Sequence, residues 1–148
     1  MACEVGDLIE PGAYMAPWRP LPALDDLNGF FWRSGADGKL RFLHCEACDY
    51  YIHPPLPVCP KCLGAEPQPK SVSGHATVRS VTINFQPWGP GLPPSYAIAI
   101  VGMDEQDDLN LTTNIIGILP EDVRIGARVG VTFEQREEVF VPLFKPLA

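Results

Sequence analysis

Four of the five cysteines stand in two close pairs, Cys45-Glu-Ala-Cys48 and Cys59-Pro-Lys-Cys62, separated by ten residues. Each pair can fold into a tight knuckle whose backbone amides point at the sulfurs, and two knuckles close a tetrahedral four-thiolate shell. A full shell leaves no position for water, so the predicted site is structural rather than catalytic. Thiolate softness favours Zn2+. Iron in a rubredoxin-like site uses the same ligands, and the spacing separates the two metals poorly. Two disulfides would need an oxidising compartment, and a single redox pair would leave the other pair unexplained. Cys3 stands alone and reads as a spare thiol. His44 adjoins a ligand, but four cysteines already complete the shell. His53 and His75 read as packed or surface histidines rather than general bases.

Other chemistry is thin. There is no nucleophile elbow, phosphate-binding loop or dinucleotide fingerprint, and no catalytic acid–base pair stands out. The densest carboxylate group, Asp104-Glu105-Gln106-Asp107-Asp108, lacks the glycine of a calcium loop and reads as a solvated hairpin turn. Aromatic residues are the remaining candidates. Phe85 and Trp88 flank and occupy a rigid Gly/Pro-rich loop, 87–94, and Phe30-Phe31-Trp32 form a second cluster. With the tail Val141–Leu147 they read as more apolar surface than so small a chain can bury, and hence as anchors for a ligand or partner.

The elements that must carry these residues are mostly strands. Seventeen prolines and thirteen glycines in 148 residues oppose a helical bundle and suit short strands with many turns. Residues 1–37 read as an extended arm followed by a short helix over Leu24–Arg33, where Leu24, Leu27, Phe30 and Phe31 recur at helical spacing. Residues 38–70 hold the cysteine module, with strands at Leu40–Cys45 and Tyr50–His53. A boundary falls at Gly64–Pro69. Residues 71–148 are purely β. His75–Gln86 alternates, with Val78, Ser80, Thr82 and Asn84 on one face and Arg79, Val81, Ile83 and Phe85 on the other. Tyr96–Met103 is nearly continuously apolar, which predicts burial on both sides. Leu109–Leu119, Arg128–Gln135 and Val139–Phe144 complete five strands, too closely spaced for crossover helices, and predict a small closed barrel.

Charge bounds the partners. The formal net charge is −7, and residues 71–148 hold 5 basic and 9 acidic groups. A nucleic-acid-binding module would need a basic groove that this segment lacks. A stand-alone acyl-CoA carrier would need Arg79, Arg124 and Arg128 to converge on the phosphates, which the sequence does not decide. Met1–Glu10 is acidic and has no signal-like apolar stretch, and no run approaches membrane-spanning length. The expected location is cytoplasmic, with neither membrane nor nucleic acid as partner.

In this order the motifs are familiar: Phe30-Phe31-Trp32, Gly38-Lys-Leu40, the two cysteine pairs, Gly74-His-Ala-Thr-Val-Arg-Ser80, Ser95-Tyr-Ala-Ile-Ala-Ile-Val101, Val123-Arg-Ile-Gly-Ala-Arg-Val129, Val131-Thr-Phe133 and Val141-Pro-Leu-Phe144. From about Leu24 to Pro146 the chain resembles the acyl-CoA-associated proteins that join a rubredoxin-like zinc ribbon to an OB-fold. The resemblance implies a mainly β protein: a short helix, a ribbon at 38–70 and an OB-fold barrel at 71–148. It further implies a subunit that is not catalytic alone. Such a subunit is required by a thiolase-superfamily aldolase, a carbon–carbon lyase of steroid side-chain degradation, in a hetero-oligomer whose partner binds most of the acyl-CoA.

Overall fold

The computed structural model describes residues 19–86 and 95–148. The predicted arm before Arg19, with Cys3, and the loop carrying Trp88 lie outside the described residues.

The first described element is shorter than the apolar spacing predicts. The Asp25 carboxylate accepts hydrogen bonds from the amides of Leu27 (2.9 Å) and Asn28 (2.7 Å), and the Asn28 side chain accepts one from the Asp25 amide (2.9 Å). These local bonds hold a turn in place of a first helical turn. Helix α1 therefore covers only Gly29–Arg33, running into a 3-10 turn at Ser34–Asp37 that ends on Gly38 with φ 79°. Gly35 permits the next contact. A Cβ there would lie 2.7 Å from the Phe140 Cβ and against the Phe133 ring, so the 3-10 turn seats directly on the barrel.

Three strands follow: β1 (Arg41–Cys45), β2 (Tyr50–Ile52) and β3 (Gln68–Ser71). They form an antiparallel sheet in the order β2-β1-β3, with Leu43 opposite Ile52 and Pro69. Strand β3 falls partly inside the stretch expected to be a boundary. Its sequence, Gln-Pro-Lys-Ser, is fully exposed, so backbone pairing with β1 rather than burial makes it a strand.

The remaining strands are β4 (His75–Asn84), β5 (Tyr96–Met103), β6 (Asn110–Ile115), β7 (Arg128–Arg136) and β8 (Val139–Pro146). They close a barrel in the order β4-β5-β6-β8-β7, with β7 returning to β4. Every pair is antiparallel except β6–β8, which meet in parallel where Ile115 faces Phe144. This is the five-stranded OB barrel, and the fold is mainly β with one short helix.

Two details differ from the strand reading. A bulge between Val78 and Ser80 inserts one residue in β4. It shifts the alternation so that Ala76 and Val78 point inward before it and Val81 packs on the core after it. Strand β5 is not buried on both faces. Ala97, Ala99 and Val101 fill the barrel, whereas Ile100 is 40% exposed on the outside. The tail expected to be surplus apolar surface is strand β8, with Val141, Leu143 and Phe144 all buried.

One core joins the parts. Phe31, Leu40, Phe42 and Tyr51 from the helix and ribbon pack in one cluster with Val78, Val101, Leu109, Val129 and Phe144 of the barrel. His53 inserts between Phe31 and Phe42, with ring centroids 5.0 Å from each. Its Nδ1 is buried without a hydrogen-bond partner, and burial pushes its pKa from 6.5 down to about 4. Folding therefore favours neutral His53. The contribution is present above pH 6.5 and is lost as pH falls toward 4, because the unfolded chain takes up the proton first. The wild-type protein is expected to lose roughly 1.5 kcal/mol more than His53→Phe between pH 7 and pH 5, allowing for partial solvent access. Urea unfolding at the two pH values checks this, and equal losses in both proteins would refute it.

Candidate metal centre

The knuckles are built by backbone geometry. Strand β1 ends on Cys45, and a turn brings Cys48 back before β2. The residue after each pair adopts left-handed backbone, Asp49 at φ 54° and Leu63 at φ 61°. In the second knuckle, the Leu63 amide donates to the Cys59 carbonyl (2.9 Å) and the Cys59 amide to the Gly64 carbonyl (2.9 Å). Val58 and Ala65 bridge across its base.

This folding brings Cys45, Cys48, Cys59 and Cys62 together, with all four sulfurs within 4.8 Å of one another. Cys45 Sγ lies 3.5 Å from Cys62 Sγ, and Cys48 Sγ lies 3.6 Å from Cys59 Sγ. A tetrahedral ion about 2.3 Å from each sulfur would space the sulfurs roughly 3.8 Å apart, so the cage fits a first-row divalent metal with little adjustment. Cys45 and Cys59 are buried, while Cys48 and Cys62 are exposed. The inner pair belongs to a small apolar cluster with Leu43 and Ile52.

The electrostatics suit thiolates. Amides of Cys62 and Lys61 hold the Cys59 thiol down at about 7, against an ordinary 9. The Gly64 amide donates to Cys62 Sγ at 3.4 Å. Crowding works the other way: loss of water, together with hydrogen bonds among the four sulfurs, pushes Cys48 up to about 12. Cys59 is thus favoured as a thiolate while Cys48 is held protonated, and a dication bound at the centre would offset that crowding.

His44 is buried beside this centre, but its Nε2 meets Asp49 Oδ1 at 2.7 Å, which ties down the first knuckle instead of supplying a ligand. The acidic turn is not a free solvated loop. Asp108 accepts a hydrogen bond from the Tyr50 hydroxyl (2.8 Å), and Gln106 pairs with the backbone of Tyr51 through both its oxygen (2.8 Å) and its nitrogen (3.0 Å). Glu105 accepts from the Ser73 amide (2.7 Å), and Asp104 makes a two-pronged ion pair with Arg128 (2.6 Å). These contacts join residues 24 to 58 positions apart, and nothing in the local sequence announces them.

The aromatic candidates separate. Phe31 is 4% exposed and belongs to the core, which removes it as a surface anchor. Phe30 and Trp32 are partly buried against it. Phe85, at 72%, is exposed beside the undescribed loop. Arg128 is held by Asp104, and Arg124 turns back onto the carbonyls of Glu121 and Val123. A cavity of about 310 Å3 lies between Trp32, Tyr96, Ile98 and Pro142, with Arg19 at its wall. Among the described residues, no helix is long and apolar enough to cross a membrane.

Two family models match the chain, between them covering most of it. The ChsH2 rubredoxin-like zinc ribbon domain matches residues 32–68, and the ChsH2 C-terminal OB-fold domain matches residues 70–134. A "Probable enoyl-CoA hydratase alpha subunit" of Thermomonospora curvata is 31% identical over 129 residues, which are 86% of this chain and 40% of that protein. The chain thus spans well under half of this curated relative. Among solved structures, a chain of the "Ltp2-ChsH2(DUF35) aldolase" superposes with a TM-score of 0.77 at 29% identity, covering 85% of this chain and 98% of that one. A DUF35-family protein of unknown function from Sulfolobus solfataricus has a TM-score of 0.55 at 18% identity, covering 76% of this chain and 78% of that one. That second likeness concerns the fold.

Proposed function

This chain belongs to the ChsH2 family, and from that premise we propose that it is a non-catalytic accessory subunit of a thiolase-superfamily aldolase. The partner would act on acyl-CoA thioesters, with steroid-derived acyl groups as the substrate class. The single observation that carries this reading is the superposition on the aldolase-complex chain, which runs over 98% of that chain and so includes ribbon and barrel together. The hydratase name of the curated relative supports CoA thioesters as the chemistry nearby.

Zinc is the metal we assign to Cys45, Cys48, Cys59 and Cys62. Its role there is to hold two knuckles and the end of β1 in register, with no catalytic step. Phe85 and Trp88, on and beside the loop between β4 and β5, are the proposed partner anchors, and the acyl-CoA would contact chiefly the partner. With Phe31 and β8 buried, the case for an interface rests on this loop and not on a general surplus of apolar surface.

The test is co-expression with a thiolase-like aldolase. A stable hetero-oligomer is expected on size-exclusion chromatography, with aldol cleavage of a steroid acyl-CoA substrate that falls when this chain is withheld. Phe85→Ala and Trp88→Ala should each weaken the complex by about 2 kcal/mol, as buried aromatic anchors do. A partner that is fully active and stable without this chain would refute the proposal.

A further inference from the structure

The acidic turn of the barrel reaches the metal centre through the ribbon, although none of its residues approaches a sulfur. Lys61 lies between the two ligands of the second knuckle, and its ammonium sits 4.5 Å from the centroid of the Tyr50 ring. Tyr50 is paired with Cys45 across β1 and β2, so its backbone is fixed by the first knuckle while its ring is capped by the second. Its hydroxyl then donates to Asp108, 58 residues further along the chain. Gln106 acts as a stand-in strand residue. It takes the amide and the carbonyl of Tyr51 on the open edge of β2, and it also donates to Asp108 Oδ1 (2.8 Å). The clasp is therefore closed on both sides: knuckles to Tyr50 and Tyr51, then Gln106 and Asp108, then the β5–β6 turn of the barrel.

We propose that Gln106 and Asp108 are positioning residues of the metal centre, setting its affinity from the barrel side. The inference rests on the reading that the four cysteines bind a metal. Its physical basis is preorganisation. Knuckle sulfurs must be held near their final positions before the ion arrives, and a short ribbon whose β2 edge is unpaired loses that order readily. Gln106 satisfies the open edge, and Asp108 fixes the ring on which Lys61 rests. Linkage makes the effect reciprocal. If the clasp favours the metal-bound ribbon, the metal favours the closed clasp by the same factor.

The experiment titrates zinc into metal-free full-length protein against a chromophoric chelator, comparing wild type with Gln106→Ala/Asp108→Ala. Both positions lie on the surface turn, and circular dichroism of the zinc-loaded variant verifies that the barrel is folded. The double variant is expected to bind zinc about tenfold more weakly, in line with loss of partners outside the ligand shell. Tyr50→Phe, which removes only the hydroxyl bond, should shift affinity in the same direction by less. Asp107→Ala, in the same turn but with no hydrogen bond to the ribbon, should leave it unchanged. Zinc affinity of the double variant within twofold of wild type would overturn the proposal. So would an equal weakening by Asp107→Ala, which would report the charge of the turn alone. Wild-type protein that binds no zinc would instead overturn the metal reading itself.

Discussion

Cys59→Ser is expected to empty the metal centre and lower the unfolding midpoint by roughly 15 °C or more, because ion binding supplies much of the folding free energy of a short ribbon. Cys59 belongs to the buried pair of ligands. Its side chain is fully buried among Leu43, Cys45 and Ile52, so serine leaves a polar hydroxyl in an apolar cluster as well as an incomplete shell. The damage should also spread. Phe42 and Tyr51 share one cluster with the barrel residues, so a ribbon that loosens takes part of the barrel core with it. Metal analysis should find about one zinc per wild-type chain and almost none in the variant, with Cys3→Ser as an unaffected control. Folded wild-type protein that is free of metal, or a Cys59→Ser protein that unfolds at the wild-type temperature, would refute this.

Arg19→Ala should be strongly destabilising although it lies outside the ribbon and the barrel strands. The Glu134 carboxylate on β7 has a side-chain exposure of 2%, and the Arg19 guanidinium is its ion-pair partner at 3.4 Å. The same guanidinium donates to Asn114 Oδ1 at 3.2 Å, while the Asn114 amide donates to the Ala97 carbonyl at 3.0 Å. Removing the cation leaves a carboxylate in the low-dielectric interior with its charge uncompensated, which costs about 3 kcal/mol. Glu134→Gln introduced into the Arg19→Ala chain should recover most of that loss, because the neutral amide carries no charge to compensate. Denaturant midpoints of the two single variants and the double variant measure it. A loss below about 0.5 kcal/mol for Arg19→Ala, or no recovery in the double variant, would show that the pair contributes little.

How much of this was readable in advance varies with the length scale of the interaction. The cysteine cage was legible because ligand spacing within each knuckle is a local property: two intervening residues allow one turn, and two such turns bring four sulfurs to one point. The strands from Tyr96 onward were legible from apolar runs of the right length, and their closure into a barrel from spacing too short for crossover helices. The helix was over-read, since the period of Leu24, Leu27 and Phe31 says nothing of the Asp25–Asn28 bonds that occupy the backbone first. Strand β3 was missed because a fully exposed tetrapeptide containing Pro69 has no burial pattern to betray it.

The sequence by itself determined the four-cysteine ribbon pattern, the β character and the family to which the chain belongs, all of which rest on residue type and near-neighbour spacing. Only the tertiary structure decided which apolar residues were core and which were surface. Phe31 proved buried because it packs on Phe42 and His53, and β8 because it closes the barrel between β6 and β7. It also turned an apparently solvated acidic turn into a clasp on the ribbon. Side chains such as Gln106 and Asp108 carry no periodic signal, and their partners are set by how the barrel folds back on β2. The same holds for Arg19 and Glu134, whose charges lie 115 residues apart in the chain and meet only once the barrel has closed.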